Sequence, residues 1–328
     1  MSSFLLSKMK HNWKITLLLL MMFLIAQFIG LCIINIYNTP QEKTVFNETT
    51  QHIEKIRVKP ELPYGMEPPS EIKPQDAFSS MVIAILIATL AILLFTKIKA
   101  RLLIRIWFFA VVILSIGITL NAFFLKIFLA GPTQLLAFII AIPLAVYKIF
   151  ERNLLIHNLT ELLIYPGIAA VFVPLLNIWF ALALLILISI YDIYAVWHAK
   201  FMQKLAMFQI KELNFFTGFF VPYISKKQYK KIKKLRAVMK KERDKKKLKE
   251  IKLKVNLAIL GGGDITFPLI FAGTLLTTST FLHASLISIF STISLLLLFI
   301  FAKRGKFYPA MPFITLGCIT GWLVSFLI

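Results

Sequence analysis

The sequence has little charge, little cysteine and very little aspartate. Only 16% of its 328 residues are charged, against about 25% in an average soluble domain, which argues against an ordinary soluble enzyme. Cys32 and Cys318 both lie in apolar runs, so neither a disulfide framework nor a cysteine-based zinc site is indicated. Hydrophobic residues make up 59% of the chain, and this excludes a disordered protein.

Long apolar runs recur along the chain and predict nine membrane spans, because about 20 apolar residues cross the ~30 Å hydrocarbon core of a bilayer. We interpret the first run, which follows a short basic head, as a retained anchor rather than a cleaved signal peptide. The fold class is therefore all-α, a polytopic membrane protein with nine transmembrane helices. The predicted spans are 15–37, 77–96, 102–124, 131–150, 154–173, 175–199, 255–276, 281–301 and 307–328.

The chain divides into four parts. Residues 1–76 hold the anchor and an external polar loop, in which Asn47 begins a glycosylation sequon. Residues 77–199 hold the second to sixth spans, and residues 200–254 form a basic cytoplasmic loop. Residues 255–328 hold the last three spans.

Basic residues fall on alternate connections between the spans. The positive-inside rule then places the N-terminus and loop 200–254 in the cytoplasm and the C-terminus outside, in the cell membrane. The loop contains 19 Lys/Arg and 4 Asp/Glu, and we expect it to contact anionic lipids rather than nucleic acid, because it is attached to a membrane domain. The basic residues of the short connections are Lys8, Lys10, Lys14, Lys97, Lys99, Arg101, Lys148, Arg152, Lys303, Arg304 and Lys306.

Two of the four aspartates, Asp192 and Asp264, lie inside apolar spans, where a carboxylate is costly and marks a functional site by default. Asp192 stands eight residues before Lys200, and Asp264 ten residues after Lys254. At 1.5 Å per residue, both aspartates lie about 12–15 Å from the same membrane surface. Two carboxyl groups that meet there would share one proton, so that one acts as a base and the other as an acid.

Helix-breaking residues accompany both aspartates. Gly261, Gly262 and Gly263 precede Asp264; we expect them to allow another chain to approach closely, with ordinary helix packing as the alternative. The segment Pro309-Ala310-Met311-Pro312 opens the last span, and its two prolines remove backbone donors. Irregular backbone survives at membrane depth only against protein or a water-filled cavity.

These motifs resemble the signatures of the presenilin and signal peptide peptidase superfamily. Tyr191-Asp192 and Gly261-x-Gly263-Asp264 look like its paired aspartate motifs, and Pro309-Ala310-Met311 resembles its Pro-Ala-Leu motif. Met311 is a departure, but one that conserves volume. The resemblance covers roughly residues 77–328, and the three motifs occur in the family's order. The predicted orientation is similar to that of presenilin, and the size to that of the archaeal homologues.

The resemblance implies an intramembrane aspartyl endopeptidase with Asp192 and Asp264 as its catalytic residues. It implies substrates that are transmembrane helices or signal peptides, no cofactor and no metal, and we expect no obligatory partner subunit. By the same analogy an extended substrate is held by strand-like pairing. The residues assigned to substrate binding are Tyr191, Gly261, Gly262, Gly263, Pro309, Ala310, Met311 and Pro312.

A proton-coupled transporter is the alternative, because it also places carboxylates in the membrane and interrupts helices there. The two halves of the sequence, however, show no convincing similarity. A non-catalytic scaffold would explain the basic loop but not two aspartates at matched depth. His157 and Glu161 lie one helical turn apart in the fifth span, and we expect them to form a polar pair packed inside the bundle.

Overall fold

A computed structural model describes residues 13–47, 52–67, 73–98, 101–128, 132–151, 153–198, 217–223, 256–302 and 308–328. Within these ranges the chain forms nine α-helices, as predicted from the apolar runs. The helices are α1 (Trp13–Asn38), α2 (Pro74–Ile98), α3 (Arg101–Ile127), α4 (Thr133–Phe150), α5 (Leu154–Phe172), α6 (Ile178–Ile193), α7 (Gly262–Leu276), α8 (Phe281–Phe301) and α9 (Met311–Ser325).

Seven of these helices are long and apolar enough to cross a membrane, whereas α7 and α9 have 15 residues each. At 1.5 Å per residue, 15 residues reach only about 22 Å, less than the hydrocarbon core. Both short helices begin at an interruption predicted from the sequence, the glycines before Asp264 and the Pro-Ala-Met-Pro segment. The irregular backbone therefore lies at the starts of α7 and α9, within the membrane domain.

Two antiparallel ribbons accompany the helices. β1 (Gln41–Asn47) pairs with β2 (His52–Val58) after α1, and β3 (Gly218–Tyr223) pairs with β4 (Asn256–Gly261) before α7. The sequence predicted a helix from residue 255, and this is wrong for residues 256–261. A short apolar run does not distinguish a strand from a helix, and here pairing with β3 decides the structure. Asn47 ends β1, and the rest of its sequon lies outside the described residues.

The predicted basic loop 200–254 lies outside the described residues except for residues 217–223, which contain β3. Most of the basic residues that indicated the orientation are also outside them. The predicted orientation and the four-part division therefore remain predictions.

Helix α7 is the centre of the bundle. All nine residues from Pro268 to Leu276 are buried, as expected of a helix that is apolar on every side. It packs against α1, where Gly30 faces Leu269 so closely that a Cβ would lie 2.3 Å from that side chain. By contrast, α2 exposes Ile83 and Leu86 on its outer surface. In a membrane such apolar surface faces lipid. Residues 268–276 of α7, by contrast, are surrounded by other parts of the protein.

Helices α8 and α9 approach each other through glycine. A Cβ at Gly317 would lie 2.6 Å from the carbonyl oxygen of Phe290, and one at Gly321 would lie 2.7 Å from the Cα of Ile287. Small residues bring membrane helices together because no hydrophobic effect drives helices together in lipid. This packing fixes α9, whose first turn contributes to the site described below.

We predict that Gly317→Val destabilises the protein by about 1–3 kcal/mol, because the new side chain meets backbone that cannot move aside. Reversible unfolding in detergent, followed by circular dichroism, measures the change. Leu316→Val is the matched control, since Leu316 is exposed on the same helix. Equal stability of the two variants would contradict the assignment of Gly317 to a tight helix contact.

Candidate active site

Asp192 lies in the last turn of α6, just before a single π-helical turn at Tyr194–His198. Its side chain is buried, and Oδ2 accepts the backbone N–H of Met311 at 3.1 Å. The N–H of Ala310 also donates to this carboxylate. The first N–H groups of a helix lack partners within the helix, so Asp192 satisfies the start of α9. A helix N-terminus in turn stabilises negative charge beside it.

The Pro-Ala-Met-Pro segment explains why α9 begins where it does. Pro312 is the second residue of α9, a position at which proline is tolerated because no intrahelical N–H bond is lost. Pro309 and Met311 are buried, whereas Ala310 and Pro312 are half-buried. The structure therefore brings this predicted motif to Asp192 through the backbone of its two central residues.

A hydrogen bond one turn away holds α6 against α9. Ser189 Oγ and Thr315 Oγ1 lie 2.7 Å apart, and Thr315 also reaches the carbonyl of Leu185 at 3.5 Å. Ser189 precedes Asp192 by three residues, and Thr315 follows Met311 by four. This pair therefore sets the register in which Asp192 meets the start of α9. The sequence did not indicate it, because serine and threonine are ordinary in membrane helices.

Asp264 lies in the first turn of α7, where β4 passes directly into the helix. Gly261 is the N-cap residue, and its N–H donates to the carboxylate of Asp264. This is the reciprocal half of a capping box, in which the third helical residue reaches back to the N-cap N–H. A Cβ at Gly261 would lie 3.3 Å from Oδ2 of Asp264, and one at Gly262 would lie 3.0 Å from the ring of Tyr165.

The glycines thus permit close approach of a carboxylate and of an aromatic ring. Gly263, by contrast, is exposed, and a Cβ there would make ordinary contact with Phe267 at 3.4 Å. Tyr191 precedes Asp192 and is half-buried.

The two aspartates are brought together. Helix α6 packs against α7, and the carboxyl groups of Asp192 and Asp264 lie close enough to interact electrostatically. They reside on consecutive helices, as the depth argument from the sequence required. Two adjacent carboxyl groups in a buried site can hold one proton between them. Among the residues that the structure describes, groups of three or more potential metal ligands are absent.

A cavity of about 290 Å³ lies beside the start of α7. Its wall is mostly apolar and includes Gly262, Gly263 and the buried side chain of Tyr165. The ring of Tyr165 packs edge-on against Phe219 of β3 at 5.5 Å. The start of α7 is therefore bordered on one side by open volume rather than by packed side chains.

A second polar cluster lies between α4 and α5. The predicted pairing of His157 with Glu161 inside the bundle is confirmed, with 3.6 Å between Nε2 and Oε1. Lys148 was predicted at the end of the fourth span and was counted with the cytoplasmic connection that follows. It lies in the last turn of α4, as that span requires, but it is buried and forms an ion pair with Glu161. A buried carboxylate needs a partner, and this explains why the lysine points into the bundle.

Gln27 of α1 makes a buried contact with α7 that was not predicted from the sequence. Its Nε2 donates to the carbonyl of Ile265, the residue after Asp264, at 2.8 Å. This bond fixes α1 to the first turn of α7. An amide inside an apolar run was the available signal, since polar side chains in membrane helices bond across helices.

Solved structures of other proteins share the fold of this chain. Two solved structures of a presenilin family intramembrane aspartate protease, in C222 and P2 space groups, match with TM-scores of 0.57 and 0.55. Their identities to this chain are 17% and 18%; the matches cover 95% and 94% of it and 98% and 96% of theirs. The fold is therefore the presenilin-family fold. No curated protein matches the chain.

The sequence model described as signal-peptide peptidase, presenilin aspartyl protease matches residues 63–328. The chain therefore belongs to this family of membrane proteases. All three motifs discussed above fall within the matched residues.

The contact between α6 and α9 gives a prediction. Ser189→Ala and Thr315→Val should each lower the free energy of unfolding, and a double-mutant cycle should give a coupling of about 0.6–1.7 kcal/mol, as for other hydrogen bonds between membrane helices. Unfolding in detergent measures the four stabilities. Strictly additive losses would show that the two hydroxyl groups do not interact.

Proposed function

We propose that the protein is an intramembrane aspartyl endopeptidase in which Asp192 and Asp264 form the catalytic pair. The proposal is supported by the packing of α6 against α7, which places the two carboxyl groups close enough to interact electrostatically, and by their position within the residues that match the family. Family membership does not favour the transporter alternative.

Hydrolysis of a peptide bond requires a base to activate water and an acid to protonate the leaving nitrogen. One carboxylate removes a proton from water, which attacks the scissile carbonyl carbon. The protonated partner donates to the carbonyl oxygen and, as the tetrahedral intermediate collapses, a proton passes to the amine. A coupled pair titrates as a unit, so the roles belong to the pair. The N–H groups of Ala310 and Met311 orient the carboxylate of Asp192.

The substrates in this proposal are membrane-embedded helices, including signal peptides, that unwind locally at the scissile bond. The free edge of β4 suits such a segment. Gly262 donates to the carbonyl of Thr217 on the β3 side, and hydrogen bonding alternates along an antiparallel strand. The backbone groups of Leu257 and Ile259 consequently point to the opposite edge, and the described part of this sheet has two strands. Strand addition there uses backbone contacts and leaves sequence demands loose.

In the proposed orientation, the N-terminus and loop 200–254 are cytoplasmic and the C-terminus is external. The excess of basic residues in the loop then lies against the inner leaflet, where each contributes about 1 kcal/mol of attraction to anionic lipid. In this orientation the catalytic pair lies nearer to the cytoplasmic face.

We expect Asp192→Asn and Asp264→Asn to lower the rate of cleavage by about 10²–10⁴-fold each, because neither variant retains both an acid and a base. Purified protein is incubated with a single-span peptide, and fragments are quantified by mass spectrometry. Asp76→Asn is the matched control, because Asp76 is exposed at the start of α2. Full activity in either site variant would reject the proposed pair.

The pH dependence gives a second test. The reaction needs one proton on the pair, so kcat/KM should fall on both sides of an optimum. Initial rates across a series of buffers of constant ionic strength measure the profile. The acidic limb reports protonation of both carboxyl groups and the alkaline limb reports loss of the shared proton. A rate independent of pH would argue against shared-proton chemistry.

A further inference from the structure

Three polar side chains of α5 bind one edge of β3. His157 Nε2 donates to the carbonyl of Gly218 at 2.9 Å, and Glu161 Oε1 accepts the N–H of Gly218 at 3.3 Å. Asn158 binds Phe220 twice: its Nδ2 donates to the carbonyl at 3.1 Å, and its Oδ1 accepts the N–H at 3.2 Å. Four backbone groups on alternate residues of one strand are thus satisfied by one helix.

These are the groups that a neighbouring strand would use. Thr217 bonds toward β4 through its carbonyl, and strand residues alternate in direction. The N–H and C=O groups of Gly218 and Phe220 therefore point away from β4. Pro222, the next residue on that edge, has no N–H to satisfy. The side chains of α5 take the place of a third strand and close this edge of the sheet.

Two of the side chains that attach α5 to β3, His157 and Glu161, are buried together with Lys148. Glu161, Lys148 and His157 are 1%, 4% and 6% exposed. His157 carries its hydrogen on Nε2 to donate to Gly218, so Nδ1 is the acceptor that faces Lys148 Nζ at 3.5 Å. Lys148 is also the counter-ion of Glu161. Removing one member of such a buried group leaves another unpaired, which is strongly destabilising.

The pairing of β3 with β4 connects the contact with α5 to Asp264. Gly218 lies opposite Gly261 in the β3–β4 ribbon, and the N–H of Gly261 donates to the carboxylate of Asp264. A displacement of β3 therefore moves the residue that holds Asp264. It also moves the free edge of β4, because the two strands share one register.

We propose that His157, Asn158 and Glu161, with Lys148 as counter-ion, are positioning residues that fix the register of β4 and the placement of Asp264. They act through β3 and do not contact the scissile bond. The inference rests on the proposed function insofar as it concerns cleavage; the placement of β4 can be measured independently.

The first test compares two asparagines in the full-length protein. Asn158→Leu removes both bonds to Phe220. Asn121→Leu is the matched control, because Asn121 is buried in α3, far from β3 in the chain, and its Nδ2 donates to the hydroxyl of Tyr37 at 3.1 Å. Backbone hydrogen exchange of residues 256–264 and the distribution of bonds cleaved in a single-span peptide are measured by mass spectrometry.

Asn158→Leu should raise exchange in residues 256–264 about tenfold, as expected for loss of a hydrogen bond that restrains local opening, and should increase the number of cleaved bonds. Asn121→Leu should change neither. Unchanged exchange and cleavage sites in Asn158→Leu, or equal changes in both variants, would overturn the proposal in favour of a general contribution to stability.

A second pair of variants separates the strand contact from the ion pair. Lys148→Met with Glu161→Gln keeps an acceptor for the N–H of Gly218, whereas Lys148→Met with Glu161→Leu removes it. The first should retain the wild-type exchange and cleavage pattern, and the second should resemble Asn158→Leu; identical behaviour of the two would count against the proposal. If the wild-type protein cleaves no peptide, the proposed function fails, and the exchange data alone decide whether α5 fixes β4.

Discussion

The buried carboxylate of Asp192 and the first N–H groups of α9 satisfy each other. Neither could remain alone at this depth, because a buried carboxylate without donors and a helix start without acceptors are both costly. Their contact joins α6 to α9 across more than a hundred residues of sequence, and the Ser189–Thr315 bond keeps the two helices in register. The Pro-Ala-Met-Pro segment is therefore part of the environment of the aspartate, through backbone rather than through its side chains.

Asp264 is held by the same kind of contact, reached from a strand. Gly261 caps α7 and donates to the carboxylate, while Gln27 of α1 binds the carbonyl of Ile265 in the same first turn. A strand that runs into a helix exposes polar backbone at a level where lipid offers no hydrogen bonds. Such backbone persists only against protein or a water-filled space, and the cavity beside Gly262, the ring of Tyr165 and β3 provide those surroundings.

The sequence predicted the features that depend on the length of apolar runs and on the rarity of acidic residues within them. Nine helices followed from apolar runs of spanning length. Two acidic residues at matched depth led to the prediction of an aspartate pair, and the structure places both on helices that pack together. The start of α7 was wrong because residues 256–261 are apolar in either conformation, and their partner β3 lies more than thirty residues away. Thr315 gave no comparable signal, because serine and threonine are ordinary in membrane helices, and the amide of Gln27 indicated a contact between helices without indicating its partner. The burial of Lys148 was not predicted, because its partner, Glu161, lies on another helix.

An enzyme of the proposed kind must bind an extended substrate segment within lipid, which offers no hydrogen bonds to exposed backbone. A helix in lipid hides its peptide bonds, so the protein must offer an extended edge on which the unwound segment can lie. Every open edge, however, leaves polar backbone unpaired. In the described part of the β3–β4 ribbon one edge is closed by α5, and the proposed pairing with a substrate uses the other edge, along β4 beside Asp264. Under the proposed function, an incoming strand would pair with the backbone groups of this edge next to the aspartates.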